Sequence, residues 1–109
     1  MVRKVKWANA AWNDLEEAAD YITKDSPYYA AAFVREARDA ARSLACLSER
    51  GRVVPEFNNP SIHELFVRSY RMIYYVTNDT VYIIGFIHGA RNLNVLWKRE
   101  KRPNYDEEN

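Results

Sequence analysis

Apolar residues along this chain repeat with two different periods, and the switch between them marks its organisation. Val2 to Trp7 alternates, with Val5 and Trp7 on one face and Lys4 and Lys6 on the other. That pattern predicts a half-buried strand at a sheet edge, where lysines discourage further pairing. After Asn9, a fair N-cap, the spacing lengthens: Trp12, Leu15, Ala18, Ala19 and Ile22 share one helical stripe, opposite Asp14, Glu16, Glu17 and Asp20. Lys24-Asp25 closes this helix. Ser26-Pro27 starts a second, with serine as cap and proline at the first helical position. Its stripe runs Phe33, Val34, Ala37, Ala41, Leu44 and Leu47, and Gly51 offers a C-terminal stop.

Residues 52–61, with Pro55, Asn58, Asn59 and Pro60, read as a loop. From Ile62 the period falls to two. Ile62–Val67, Tyr70–Val76 and Thr80–Ile87 read as three strands joined by turns at Arg68-Ser69 and Thr77-Asn78-Asp79. A short helix from Asn92 to about Lys98 follows. The predicted order is β-α-α-β-β-β with a terminal helix, an α+β fold. A helical hairpin covers one face of a small, mainly antiparallel sheet, and the other face stays partly open. Residues 1–100 form one domain and 101–109 a polar, frayed tail, since 109 residues support a single core.

Composition changes this picture in two places. The net charge is only +1, but it is unevenly distributed. Residues 1–8 carry Arg3, Lys4 and Lys6 and no acid, the first helix is acidic, and residues 62–102 hold Arg68, Arg71, Arg91, Lys98, Arg99, Lys101 and Arg102 against Glu64, Asp79 and Glu100. Asp106, Glu107 and Glu108 make the tail acidic. An acidic helix joined to a basic sheet can attract phosphates although the whole chain is close to neutral; ordinary surface charge is the plain alternative. The single Cys46 lies between Leu44 and Leu47 and reads as a small core residue, which excludes an internal disulfide and a cysteine-rich metal site. No apolar run approaches the ~20 residues that span a bilayer and no signal peptide is present, so the expected location is the cytoplasm.

Three residues stand out chemically. Arg71 lies inside a strand and shares a face with Ile73 and Tyr75, while Tyr70, Met72, Tyr74 and Val76 face the core. An arginine there must meet solvent, a carboxylate or a phosphate, because burying it unpaired is costly. Its planar fork suits a phosphate; a salt bridge to Glu64 on the neighbouring strand is the structural alternative. Arg91 ends His88-Gly89-Ala90-Arg91, close to the start of the last helix, where it can help hold an anion or pair with the acidic tail. His88 can serve as acid or base in phosphodiester cleavage, or hydrogen-bond where sheet meets helix. His63 is a weaker candidate. Two histidines without partner spacing make a metal site improbable, no cofactor is implied, and no glycine-rich phosphate loop is present. Trp7 and Trp12 are expected in or near the core. Trp97 can either cover the open face or anchor a partner.

The blocks Val5-Lys6-Trp7 with Leu15 to Ile22, Tyr70-Arg71-Met72-Ile73-Tyr74 and Ile87-His88-Gly89-Ala90-Arg91 resemble the RelE/ParE superfamily of bacterial type II toxin–antitoxin toxins, over residues 3–97. The resemblance implies a small α+β toxin neutralised by an antitoxin protein that wraps around it. Two targets follow from it. RelE-like members cleave mRNA in the ribosomal A site without a metal; Arg71 and Arg91 would then hold the scissile phosphate, with His88 as acid–base group. ParE-like members inhibit DNA gyrase, and the His-Gly-Ala-Arg ending is closer to that branch. Trp97 stands where RelE proper tends to have tyrosine, and the lysines of that branch are absent before Ile62. The favoured expectation is therefore a ParE-like gyrase inhibitor, ahead of an mRNA endonuclease and of a non-toxic binding module. Arg71, Arg91, Lys98 and Arg99 are the expected target-binding residues, and Trp97 the expected partner contact.

Overall fold

A computed structural model describes residues 2–105. The chain forms β1 (Lys4–Trp7), α1 (Asn9–Thr23), α2 (Pro27–Ser43), β2 (Arg52–Val53), β3 (Ile62–Val67), β4 (Tyr70–Val76), β5 (Thr80–His88) and α3 (Leu93–Arg99). The α+β architecture agrees with the alternation read from the sequence. Five strands lie in the order β1-β5-β4-β3-β2, all antiparallel except β1, which runs parallel to β5 as an edge strand.

Each helix begins for a local reason. Ser26 caps α2 by accepting the Tyr29 amide, with Pro27 at the first position. Asn92 caps α3 by accepting from Val95. The cap of α1 falls on Ala8 and not on Asn9; the Ala8 amide donates to Ile83, which fixes the end of β1 and the start of the helix together. Buried Ala11 and Ala18 on α1, and Ala30, Ala37 and Ala41 on α2, let the hairpin seat closely.

The hairpin covers one sheet face through Leu15, Phe33 and Leu44 against Leu65, Met72, Tyr74 and Ile83. Phe33, Tyr70 and Phe86 form an aromatic trio, with Tyr70 stacked on Phe86 at 5.2 Å. A bulge in β5 sets both Ile84 and Gly85 against the Ile73–Tyr74 step, which returns Phe86 to the hairpin side.

The opposite face is closed, contrary to the expected open surface. Ile62, Ile73, Ile84 and Ile87 are covered there by Phe57, α3 and Trp97. Gly85 makes this possible: a Cβ on it would stand 3.1 Å from the Trp97 ring. The residues after α3 also pack. Trp97 donates its indole N–H to the Pro103 carbonyl, Tyr105 stands beside Trp97 and Tyr75, and Asn59 donates to the Tyr105 carbonyl. Arg102 lies over Trp97 and holds Asp14 in a two-pronged pair at 2.6 and 2.8 Å. The first part of the expected frayed tail is thus bound to the sheet, while residues 106–109 lie outside the described residues.

Three further expectations are corrected. The second helix ends at Ser43, well before Gly51. Gly51 instead lies against β3, where a Cβ would come within 2.2 Å of the Glu64 carbonyl, and its amide donates to the Tyr74 hydroxyl. Cys46 is exposed in the turns after α2, because Leu44 fills the core position. Residues 52–61 contain the short strand β2, paired through Arg52–Glu64 and Val53–His63.

Candidate functional site: the His88–Arg91 cleft

The chemistry-bearing residues fall on two sides of the sheet. Tyr70 and His88 are register partners at one end of β4 and β5, on the hairpin face, with their rings edge-on at 5.2 Å. The turn that follows is held by the Gly89 amide on Ser69 and the Arg91 amide on the His88 carbonyl. It carries Arg91 into the same cleft as His88, between Tyr70 and Phe86 on the sheet and Asp14, Glu17, Ala18 and Tyr21 on α1. His88 is exposed, and its Nδ1 accepts the Ala90 amide at 3.1 Å. In the neutral ring the proton therefore sits on Nε2, which is left to meet a ligand. Arg91 is exposed and makes no ion pair among the described residues. The alternative that it pairs with the acids at 106–108 lies outside those residues.

Arg71 is elsewhere. It occupies the opposite face, only 6% exposed, with both forks of its guanidinium engaged by carboxylates. Nη1 and Nη2 donate to the two oxygens of Glu56 at 2.8 and 2.7 Å, and Nε donates to Glu64. Glu64, fully buried, also accepts from Arg52 at 2.7 Å. The hydrogen bond from Arg71 is the main cause holding the Glu56 carboxyl below its ordinary range, and the same pair raises the Arg71 guanidinium further. The alternative of a Glu64 salt bridge is thus what the structure contains, with Glu56 as a second partner. That loop residue carried no sequence signal.

The remaining candidates divide likewise. Lys98 and Arg99 are exposed on α3. Trp97 is 6% exposed and covers the sheet from within the fold, so it is not a free apolar anchor. His63 is buried beside Tyr74, with Nε2 3.4 Å from Glu49. Asp14, on the cleft's acidic side, was missed; it accepts from the Phe86 amide and from Arg102, tying α1 to the sheet and to the C-terminal segment. Trp7 packs against the core, and Trp12 lies at its margin, 39% exposed and edge-on to Trp7 at 5.4 Å.

A helical hairpin on a five-stranded, mostly antiparallel sheet, with a basic turn at its end, matches the small toxins of type II toxin–antitoxin modules. The family model described as the ParE toxin of the type II toxin–antitoxin system, parDE, matches residues 5–93. Toxin RelE2 of Caulobacter vibrioides is 36% identical over 89 residues, covering 81% of this chain and 97% of that protein. A structure of the chromosomal ParDE TA system from P. aeruginosa superposes with a TM-score of 0.66 at 19% identity, covering 80% of this chain and 96% of that one; at this identity it speaks to fold. The chain belongs to the ParE toxin family, within the RelE/ParE superfamily. An antitoxin protein is accordingly its family partner. Among the described residues no helix is long and apolar enough to cross a membrane.

Proposed function

We propose that this toxin acts by binding, as an inhibitor of DNA gyrase, and not by cutting RNA. The observation that carries the reading is the separation of Arg71 from His88 and Arg91. Cleaving a phosphodiester through its 2′-OH needs a base, cationic stabilisation of the phosphorane-like oxygens and an acid for the leaving group, all around one phosphate. Arg71 lies on the other face with its donors engaged by Glu56 and Glu64. His88 and Arg91 alone leave that set incomplete. The match to the ParE family model supports the same branch. Arg91, Lys98 and Arg99, all exposed, supply cationic contacts to the target. The site of action is the cytoplasm.

One feature favours a ribosome-dependent endonuclease instead: His88 and Arg91 share an accessible cleft. The deciding experiment gives purified toxin to two reactions, gyrase supercoiling and cell-free translation with mapping of mRNA 5′ ends. Inhibited supercoiling with intact mRNA supports the proposal. New ribosome-dependent cuts, lost in His88→Ala and Arg91→Ala, would replace it with the second reading.

A further inference from the structure

We infer that the groove between the C-terminal half of α2 and β1 holds an unpaired strand of DNA. The choice of DNA over RNA rests on the gyrase reading above; the groove itself stands on two observations independent of it. The first is charge. Arg35, Arg38 and Arg42 stand at i, i+3 and i+7 of α2, spanning ~10 Å of helix, and line one hollow. All three are exposed. Arg35 and Arg38 make no ion pair among the described residues, and Arg42 gives a single nitrogen to Asp39 at 3.0 Å. Glu36, the other acid of the helix, is turned to Arg68 at 2.6 Å. No carboxylate lines the hollow, so its three cations repel one another until an anion with several charges in a row lies among them.

The second observation is aromatic. An adjoining hollow shares Arg38 and Arg42 and is floored by Val5, Trp7 and Trp12, again without an acid. Trp12 is the most exposed of the three tryptophans. An unpaired strand satisfies both halves at once. A base of any identity stacks on an indole, and guanidinium forks suit the oxygens of successive phosphates. A duplex keeps its bases stacked inside, so it would use the arginines and leave Trp12 idle. The two hollows share no residue with the His88–Arg91 cleft, which makes this a second contact and not an extension of the first. Through it the toxin would grip the DNA that gyrase has opened as well as the enzyme.

The test titrates full-length toxin into a labelled short oligothymidine, a DNA duplex of equal length and an oligouridine, with fluorescence anisotropy as the readout. Oligothymidine should bind at least as well as oligouridine and about tenfold more tightly than the duplex, the difference being the stacked base. Arg38→Glu/Arg42→Glu should weaken binding at least tenfold. Arg35→Gln should lower the slope of log affinity against log salt by about 0.7, one phosphate contact of a single strand. Binding should also quench tryptophan fluorescence, and Trp12→Phe should remove most of the quench. Circular dichroism establishes that each variant is folded; if the charge reversal unfolds the chain, the Arg35→Gln slope decides. Wild-type affinity in the folded charge-reversed variant, or an unchanged slope, would overturn the inference. Tighter binding of duplex or of oligouridine would overturn it in favour of a helix backbone or of RNA. Supercoiling is measured alongside. Toxin that inhibits gyrase but binds no oligothymidine would defeat this inference alone. Toxin that binds oligothymidine through these residues and leaves supercoiling intact would defeat the gyrase reading and uphold the groove's occupant.

Discussion

Replacing Arg71 by alanine separates a structural from a catalytic role. The substitution removes the donors to both oxygens of Glu56 and to Glu64, leaving the fully buried Glu64 carboxylate with Arg52 alone. Breaking a buried pair from one side costs about 3–5 kcal/mol, because a buried charge is left behind. Arg52 still reaches Glu64, and the partly exposed Glu56 can turn to water, so the expected loss lies near the lower end, about 3 kcal/mol. Against a typical domain stability of roughly 5–15 kcal/mol, that is a large share. Urea denaturation followed by tryptophan fluorescence measures it directly. Arg71→Met combined with Glu64→Leu should lose less than Arg71→Ala alone, since no buried charge remains. A loss below about 1 kcal/mol for Arg71→Ala, or a double variant worse than the single one, would refute the argument. Any fall in toxicity of Arg71→Ala must therefore be set against its folded fraction.

Glu56 gives a pH signature. Its carboxyl titrates below the ordinary value of 4.5 when folded, so its contribution is complete above that value and is lost as pH falls through the lowered one. Glu56→Gln should flatten the acid limb of a stability-against-pH curve, and an unchanged limb would contradict the assignment. Arg102→Gln breaks the pair with the largely buried Asp14 and the contact over Trp97, costing about 3 kcal/mol; an unshifted melting temperature would argue against the C-terminal segment being held as described. Gly51→Ala sets a methyl against the Glu64 carbonyl and should cost roughly 2 kcal/mol or more in thermal melts, whereas wild-type stability would show that the chain yields there freely. Ser26→Ala removes the cap of α2 and should cost about 1 kcal/mol by urea titration, with no loss expected only if the cap bond to Tyr29 is idle.

Local chemistry made much of the fold legible. The three long strands stand where the two-residue period put them, and Ser26-Pro27 and Asn92 start helices because a cap acts within one turn. What escaped depends on residues far apart in the chain. Leu44 was legible on the stripe of α2, but nothing near Cys46 shows that it stays outside the core, since that follows from where α2 ends against the sheet. The closure of the second face needs Gly85, Trp97 and Arg102 together, with Asp14 reaching from 88 positions away. In the site, His88 and Arg91 were legible as neighbours because a short turn joins them. Glu64 was legible as a partner for Arg71 from strand adjacency. Glu56 was not, because a loop's path carries no period.

The parallel pairing of β1 also shapes how the toxin comes into being. Lys4 faces Thr80 and Trp7 faces Ile83, so the first strand has no ladder to join until the fifth has been made. Closing so long a chain carries an entropic cost that local helix and hairpin formation avoids. The meander of β3, β4 and β5 can assemble from near neighbours, and β1 locks on last. On the ribosome the N-terminal strand waits through most of synthesis, so an intact toxin exists only once nearly the whole chain has emerged. Pulse-labelled refolding would show this as amides of Lys4, Lys6 and Ala8 gaining protection after those of β4; simultaneous protection would mean that the edge strand is captured early.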